Sequence, residues 1–129
     1  MTPNNKLILA VNGTLMRGLE LENNLKAVNA TFIKESQTEK AYRLYTIEDK
    51  YPAMIKDEKG AAIDVELYEI SEEGIQEVLS KEPAGLTIKK ILLVDGSSVY
   101  GVVGLPFIIE GRTEITKYGG WRNYLASKK

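Results

Sequence analysis

The sequence is a succession of short strand-like runs that stretches of helical spacing interrupt at only three places. That rhythm argues against a regular alternation of strand and helix, and so against a doubly wound parallel sheet. The first run, Lys6–Val11, is nearly continuous in apolar residues, the pattern of a strand buried on both faces. It stops at the turn signal Asn12-Gly13-Thr14. Leu21, Leu25 and Val28 then share one face of a short helix. Thr31–Ile33 and Tyr42–Ile47 carry the β-branched and aromatic residues of strands. Ile63–Leu67 alternates apolar with polar residues, and the strand continues to Ile70. Ser71 is placed to cap a helix whose face is Ile75, Val78 and Leu79 and whose end is near Pro83. Ile88–Val94 and Ser97–Val103 flank Asp95-Gly96, which predicts a hairpin with a type I′ turn. Gly101 and Gly104 point to a bulge or a close backbone approach in the return strand. Trp121, Tyr124 and Leu125 predict a last helix closing over the sheet. No linker, repeat or low-complexity tract divides residues 1–129, so a single domain is expected, with one small curved or closed sheet and helices at its ends.

Composition removes whole classes of chemistry. Cysteine and histidine are both absent, which excludes thiol nucleophiles, Ser-His-Asp triads and Cys- or His-ligated metals. Nothing resembles an EF-hand loop, so neither a metal nor another cofactor is expected. A net charge of -1 gives no broad field for nucleic acid. No apolar run approaches the ~20 residues of a membrane span, and a signal-peptide pattern is missing, so the expected compartment is the cytoplasm. Charge is uneven locally: Asp64–Glu82 holds seven acids and one Lys, and Arg112–Lys129 holds five basic residues and one Glu. These read as solvated faces that pair with one another.

Three places could carry chemistry. The turn Asn12-Gly13-Thr14-Leu15-Met16-Arg17-Gly18 offers backbone N–H groups, a hydroxyl and a guanidinium, which together suit a carboxylate. Tyr51-Pro52-Ala53-Met54-Ile55 reads as a Pro turn leading into an apolar strand. Glu82, at the end of the acidic helix, becomes a proton acceptor if burial raises its pKa. Glu66 and Glu69 face opposite sides of one strand, so at most one of them looks into a pocket.

The order of these segments resembles the gamma-glutamylcyclotransferase-like superfamily: a leading strand, Gly13-Thr14-Leu15-Met16-Arg17-Gly18, Pro52-Ala53-Met54-Ile55, then Asp64–Ile70. Ile63–Tyr68, Pro83–Ile88, Asp95-Gly96 with Gly101, and Ile115-Thr116 leading to Gly119–Leu125 are closest to the C-terminal domain of allophanate hydrolase. The resemblance spans Leu7 to Leu125. It implies an α+β fold, a small mixed-topology β-barrel with a few packed helices and one ligand cavity. It also implies that Gly13, Thr14 and Leu15 hold the amino-acid end of a γ-glutamyl substrate through backbone groups, and that Glu82 is the acid/base candidate. Asn12 stands where cyclotransferases have Tyr, and Glu82 comes one residue early, without the neighbouring Asp and Gly. The histidine associated with allophanate-hydrolase decarboxylation is missing, and 129 residues do not hold the amidase.

The reading that follows is a free-standing relative of that C-terminal domain. It binds a small carboxylated amide or amine in a barrel cavity through Asn12, Gly13, Thr14, Leu15, Met16 and Arg17, and it accompanies a separate amidase chain. The alternatives are a cyclotransferase that releases 5-oxoproline with Glu82 as base, and a non-catalytic association module. On any of them, Lys6–Val11 is expected to be central and Asn12–Gly18 to open onto the largest pocket.

Overall fold

The computed structural model describes residues 6–128. Strand β1 (Lys6–Val11) is the middle of a five-stranded sheet of order β2-β5-β1-β7-β6. It runs antiparallel to β5 (Asp64–Ser71), from Lys6↔Ser71 to Val11↔Glu66, and parallel to β7 (Ser98–Gly104) at Leu9↔Tyr100 and Ala10↔Gly101. Leu9, Ala10 and Val11 are fully buried, whereas Ile8 is exposed, so only the C-terminal half of the strand is covered on both faces. Edge strand β2 (Thr31–Gln37) pairs with β5, with a bulge between Phe32 and Lys34. The other edge, β6 (Leu86–Leu92), pairs with β7. A second sheet of order β4-β3-β8 comprises β3 (Tyr42–Ile47), β4 (Tyr51–Lys56) and β8 (Thr113–Glu114). Pro52 is tolerated in β4 because that strand is an edge, where an absent N–H breaks no ladder.

Helix α1 (Glu22–Ala27) buries Leu25, and α2 (Glu72–Ser80) buries Ile75 and Val78 against β1, β5 and β6. Ser71 caps α2 as its sequence predicts, its hydroxyl oxygen accepting the Gly74 N–H at 2.9 Å. Helix α3 (Trp121–Ser127) drives Trp121 and Tyr124 into the core. No helix of the described residues is long and apolar enough to cross a membrane.

Two expectations need correction. The strands form no closed barrel. The edges β2 and β6 meet only at a single Thr38↔Leu93 bridge, with Glu39 N–H donating to Leu92 C=O and Val94 N–H to Gln37 C=O. No ladder extends from there, because β2 ends at Gln37 and β6 runs into its hairpin turn. That turn is not type I′ either. Only Gly96 takes positive φ, at 88°, and Asp95 does not. The carboxylate of Asp95 accepts both the Ser97 N–H and hydroxyl, which gives a three-residue loop closed by Leu93 N–H to Ser97 C=O. At Gly101 the ladder with β6 runs without a bulge, and the space a Cβ would need is taken by a side chain and not by backbone: it would lie 2.6 Å from Ile91 Cδ1.

Candidate functional site

The buried end of β1 delivers Asn12 into the core, where it is 3% exposed. Its side-chain amide donates to Val102 C=O at 2.9 Å and lies 3.7 Å from the Met54 sulfur, so it fastens the turn to β7 and β4 instead of facing a ligand. Gly13 follows because nothing larger fits: a Cβ would come within 2.5 Å of Pro52 Cδ. Met16 N–H closes the turn onto Gly13 C=O, and Leu21 N–H reaches Thr14 C=O. The N–H groups of Gly13, Thr14 and Leu15 take no acceptor among the described residues. These three residues line a small cavity with Pro52, Leu86 and Glu82. Its free volume is about 10 Å³, room for one water.

Glu82 reaches this cavity because α2 stops there: Glu82 N–H caps Leu79 C=O, and Pro83 cannot continue the helix. One carboxylate oxygen, Oε2, is buried without a hydrogen-bond partner among the described residues. Burial raises the Glu82 carboxyl to about 7. A carboxyl poised near neutrality beside free N–H donors can accept or return a proton to an amine. Thus the structure brings Asn12, Gly13, Thr14 and Leu15 together with Glu82, and brings Tyr51-Pro52 to the same place.

Met16 and Arg17 go elsewhere. The Arg17 guanidinium does not line the small cavity. It pairs with Glu35 Oε2 at 2.7 Å and with Glu66 Oε1 at 3.4 Å, and it lies 3.8 Å over the Phe32 ring. Glu66 is the buried member of the Glu66/Glu69 pair, with its side chain 3% exposed. It also accepts the Arg17 backbone N–H at 2.9 Å and an Arg122 guanidinium N–H at 2.9 Å. Arg122 donates in addition to Arg17 C=O. Arg17 is therefore occupied by the protein's own carboxylates, and the positive potential expected of it at a ligand is already spent on Glu66 and Glu35. The sequence signal for this cluster was the opposed local charge: Glu66 belongs to the acidic stretch and Arg122 to the basic one. Lys129 of that basic stretch lies outside the described residues.

Met16 lines a larger cleft of about 480 Å³ between β2, β5 and the start of α3. The turn therefore does not open onto the largest pocket as a whole; it separates two cavities and gives only Met16 to the larger. Among the described residues no group of three or more acidic side chains is arranged to hold a metal ion.

The model of the allophanate hydrolase C-terminal domain matches residues 7–126. Urea amidolyase of Lachancea kluyveri is 32% identical over 133 residues, covering 97% of this chain but 7% of the relative, so the chain spans a small part of that protein. Urea amidolyase of Saccharomyces cerevisiae is similar, at 30% identity. Among solved structures, a uropathogenic E. coli-specific protein is 45% identical with a TM-score of 0.92, and 98% of both chains is covered. Kluyveromyces lactis allophanate hydrolase is 26% identical with a TM-score of 0.89, over 97% of this chain and 22% of that one. An AIG2-like protein from mouse, at 20% identity and a TM-score of 0.61, shares the fold. The chain belongs to the allophanate hydrolase C-terminal domain family.

Proposed function

We propose that this protein binds a small carboxylated amide or amine between the Gly13–Leu15 turn and Glu82, and that it works beside a separate amidase chain. The observation that carries the reading is the buried Oε2 of Glu82, without a partner among the described residues, in a cavity also lined by Gly13, Thr14 and Leu15, whose N–H groups take no acceptor there. Those donors suit the carboxylate of a ligand, and Glu82 suits its N–H groups. The cavity as it stands admits one water, so a ligand enters as the β4 edge at Tyr51-Pro52 or Leu86 moves aside. Partnership with an amidase is supported by the longer relatives, in which this domain is a minor share of a protein named for allophanate hydrolysis or urea amidolysis.

The test is an NMR titration with N-carbamoylglycine and malonamate. Saturable shifts at the amides of Gly13, Thr14 and Leu15, lost in Glu82→Leu, are expected. Shifts confined to other regions would end the reading. The placement of Glu82 beside Gly13-Thr14-Leu15 also favours a second reading, removal of a proton from the amine of a γ-glutamyl compound with release of 5-oxoproline. We expect no such turnover with γ-glutamyl dipeptides, because Asn12 stands where cyclotransferases have Tyr and Glu82 comes one residue early, without the neighbouring Asp and Gly. Product formation that Glu82→Gln abolishes would establish the second reading over the first.

A further inference from the structure

The larger cleft is independent of Glu82, and its charges sum to a definite remainder. Arg17 pairs with Glu35 at 2.7 Å and Arg122 with Glu66 at 2.9 Å, so two guanidinia cancel two carboxylates. Asp64, on the cleft wall, enters no ion pair among the described residues. Its Oδ1 accepts the Gln37 amide at 2.8 Å, and its Oδ2, packed beside Gly120, has no hydrogen-bond partner among the described residues. The side-chain amides that line the cleft have turned their donors to the protein: Gln37 to Asp64, and Asn123 to Tyr118 C=O at 3.0 Å. Their carbonyl oxygens are the uncommitted ends. The rest of the wall is Ser36 and the apolar Met16, Val65 and Trp121, these three each no more than 3% exposed, with Val94 at the rim 61% exposed.

We propose that this cleft is a binding site for a primary alkylammonium. Its single positive charge matches the one uncompensated carboxylate, Asp64. Its three N–H donors match Asp64 Oδ2 and the two amide carbonyls, and its alkyl stem lies along Met16 and Val94. A carboxylate ligand meets the opposite situation, three acids on the wall and both guanidinia already engaged.

Trp121 lines the cleft and is the only tryptophan of the chain, so its fluorescence reports occupancy directly. Titration with n-butylamine at pH 7, where the amine is protonated, gives a saturable change, and n-butyrate gives none. Asp64→Asn, which keeps an acceptor for Gln37, weakens n-butylamine by about 10-fold or more. Val94→Lys, a change at an exposed position, puts a competing ammonium at the rim and abolishes the response even if Asp64→Asn fails to fold. Glu82→Gln leaves the affinity unchanged, which separates this site from the small cavity. A linear, unsaturable response, equal binding of n-butyrate, or undiminished affinity in either cleft variant overturns the proposal.

Discussion

Two carboxylates, the buried Glu66 and the half-buried Glu82, show how environment decides the role of one residue type. Glu66 is held by Arg17 and Arg122 and accepts a backbone N–H, so its burial is compensated. Replacing it with Gln leaves Arg122 without its anion and Arg17 with Glu35 alone, and should destabilise the protein by about 1–3 kcal/mol in urea unfolding. The loss stays moderate because both arginines are half-exposed and can turn to water. Glu82 has no such partner. Its folded pKa, about 7, lies above the ordinary carboxylate value of 4.5, so folding favours the protonated form. Its contribution is present below pH 4.5 and is lost as pH rises towards 7. Glu82→Gln should therefore leave the melting temperature at pH 4 unchanged and raise it at pH 8. The gain should be of the order of 1 kcal/mol, since part of the side chain meets solvent. A pH-independent difference between the two proteins would show that Glu82 ionises freely. Glu82 stood out in the sequence by its place at the end of the acidic helix before Pro83, but the burial of its Oε2 depends on residues distant in the chain. Arg17 was misread because the sequence shows a cation beside a turn but not the carboxylate three strands of chain away that claims it.

At the scale of elements, the motif segments explain one another. Gly13 and Pro52 belong to two runs that looked ordinary when read separately, a tight turn and a Pro-led strand. In the fold they touch, and Pro52 occupies the space that a side chain at Gly13 would need. Gly13→Ala should cost about 1–3 kcal/mol by overpacking. In a Pro52→Ala background most of that cost should vanish, a coupling that a double-mutant cycle in chemical denaturation measures. Additive effects would mean that the turn and β4 do not constrain each other. Strands and helices were readable because each announces itself locally, by alternation, by the Ser71 cap, or by the spacing of Trp121 and Tyr124. The Asp95-Gly96 turn was readable in place but not in type, since Asp95 prefers to accept two hydrogen bonds from Ser97 over adopting positive φ.

For the whole molecule, the decisive question was whether the curved sheet closes, and local pattern does not answer it. The answer rests on Thr38, fully buried at the single meeting point of the two edges. Its hydroxyl accepts Ile63 N–H at 2.9 Å and donates to Glu39 C=O. Thr38→Val keeps the shape but leaves Ile63 N–H without an acceptor. A loss of about 1–3 kcal/mol is expected, with faster amide exchange at Glu39 and Val94 before any other part of the sheet. Protection unchanged at those two amides would show that the bridge does not depend on the hydroxyl. The clasp of Arg122 on Glu66 and on the carbonyl of Arg17 carries a different consequence, one of timing. During synthesis, Arg17 and Glu66 emerge before α3, so their clasp closes only once Arg122 has been made. Pairings of β1 with β5 and β7 close long loops as well, which makes for slow folding. The Arg17–Glu66 cluster is thus completed by the last helix of the described residues.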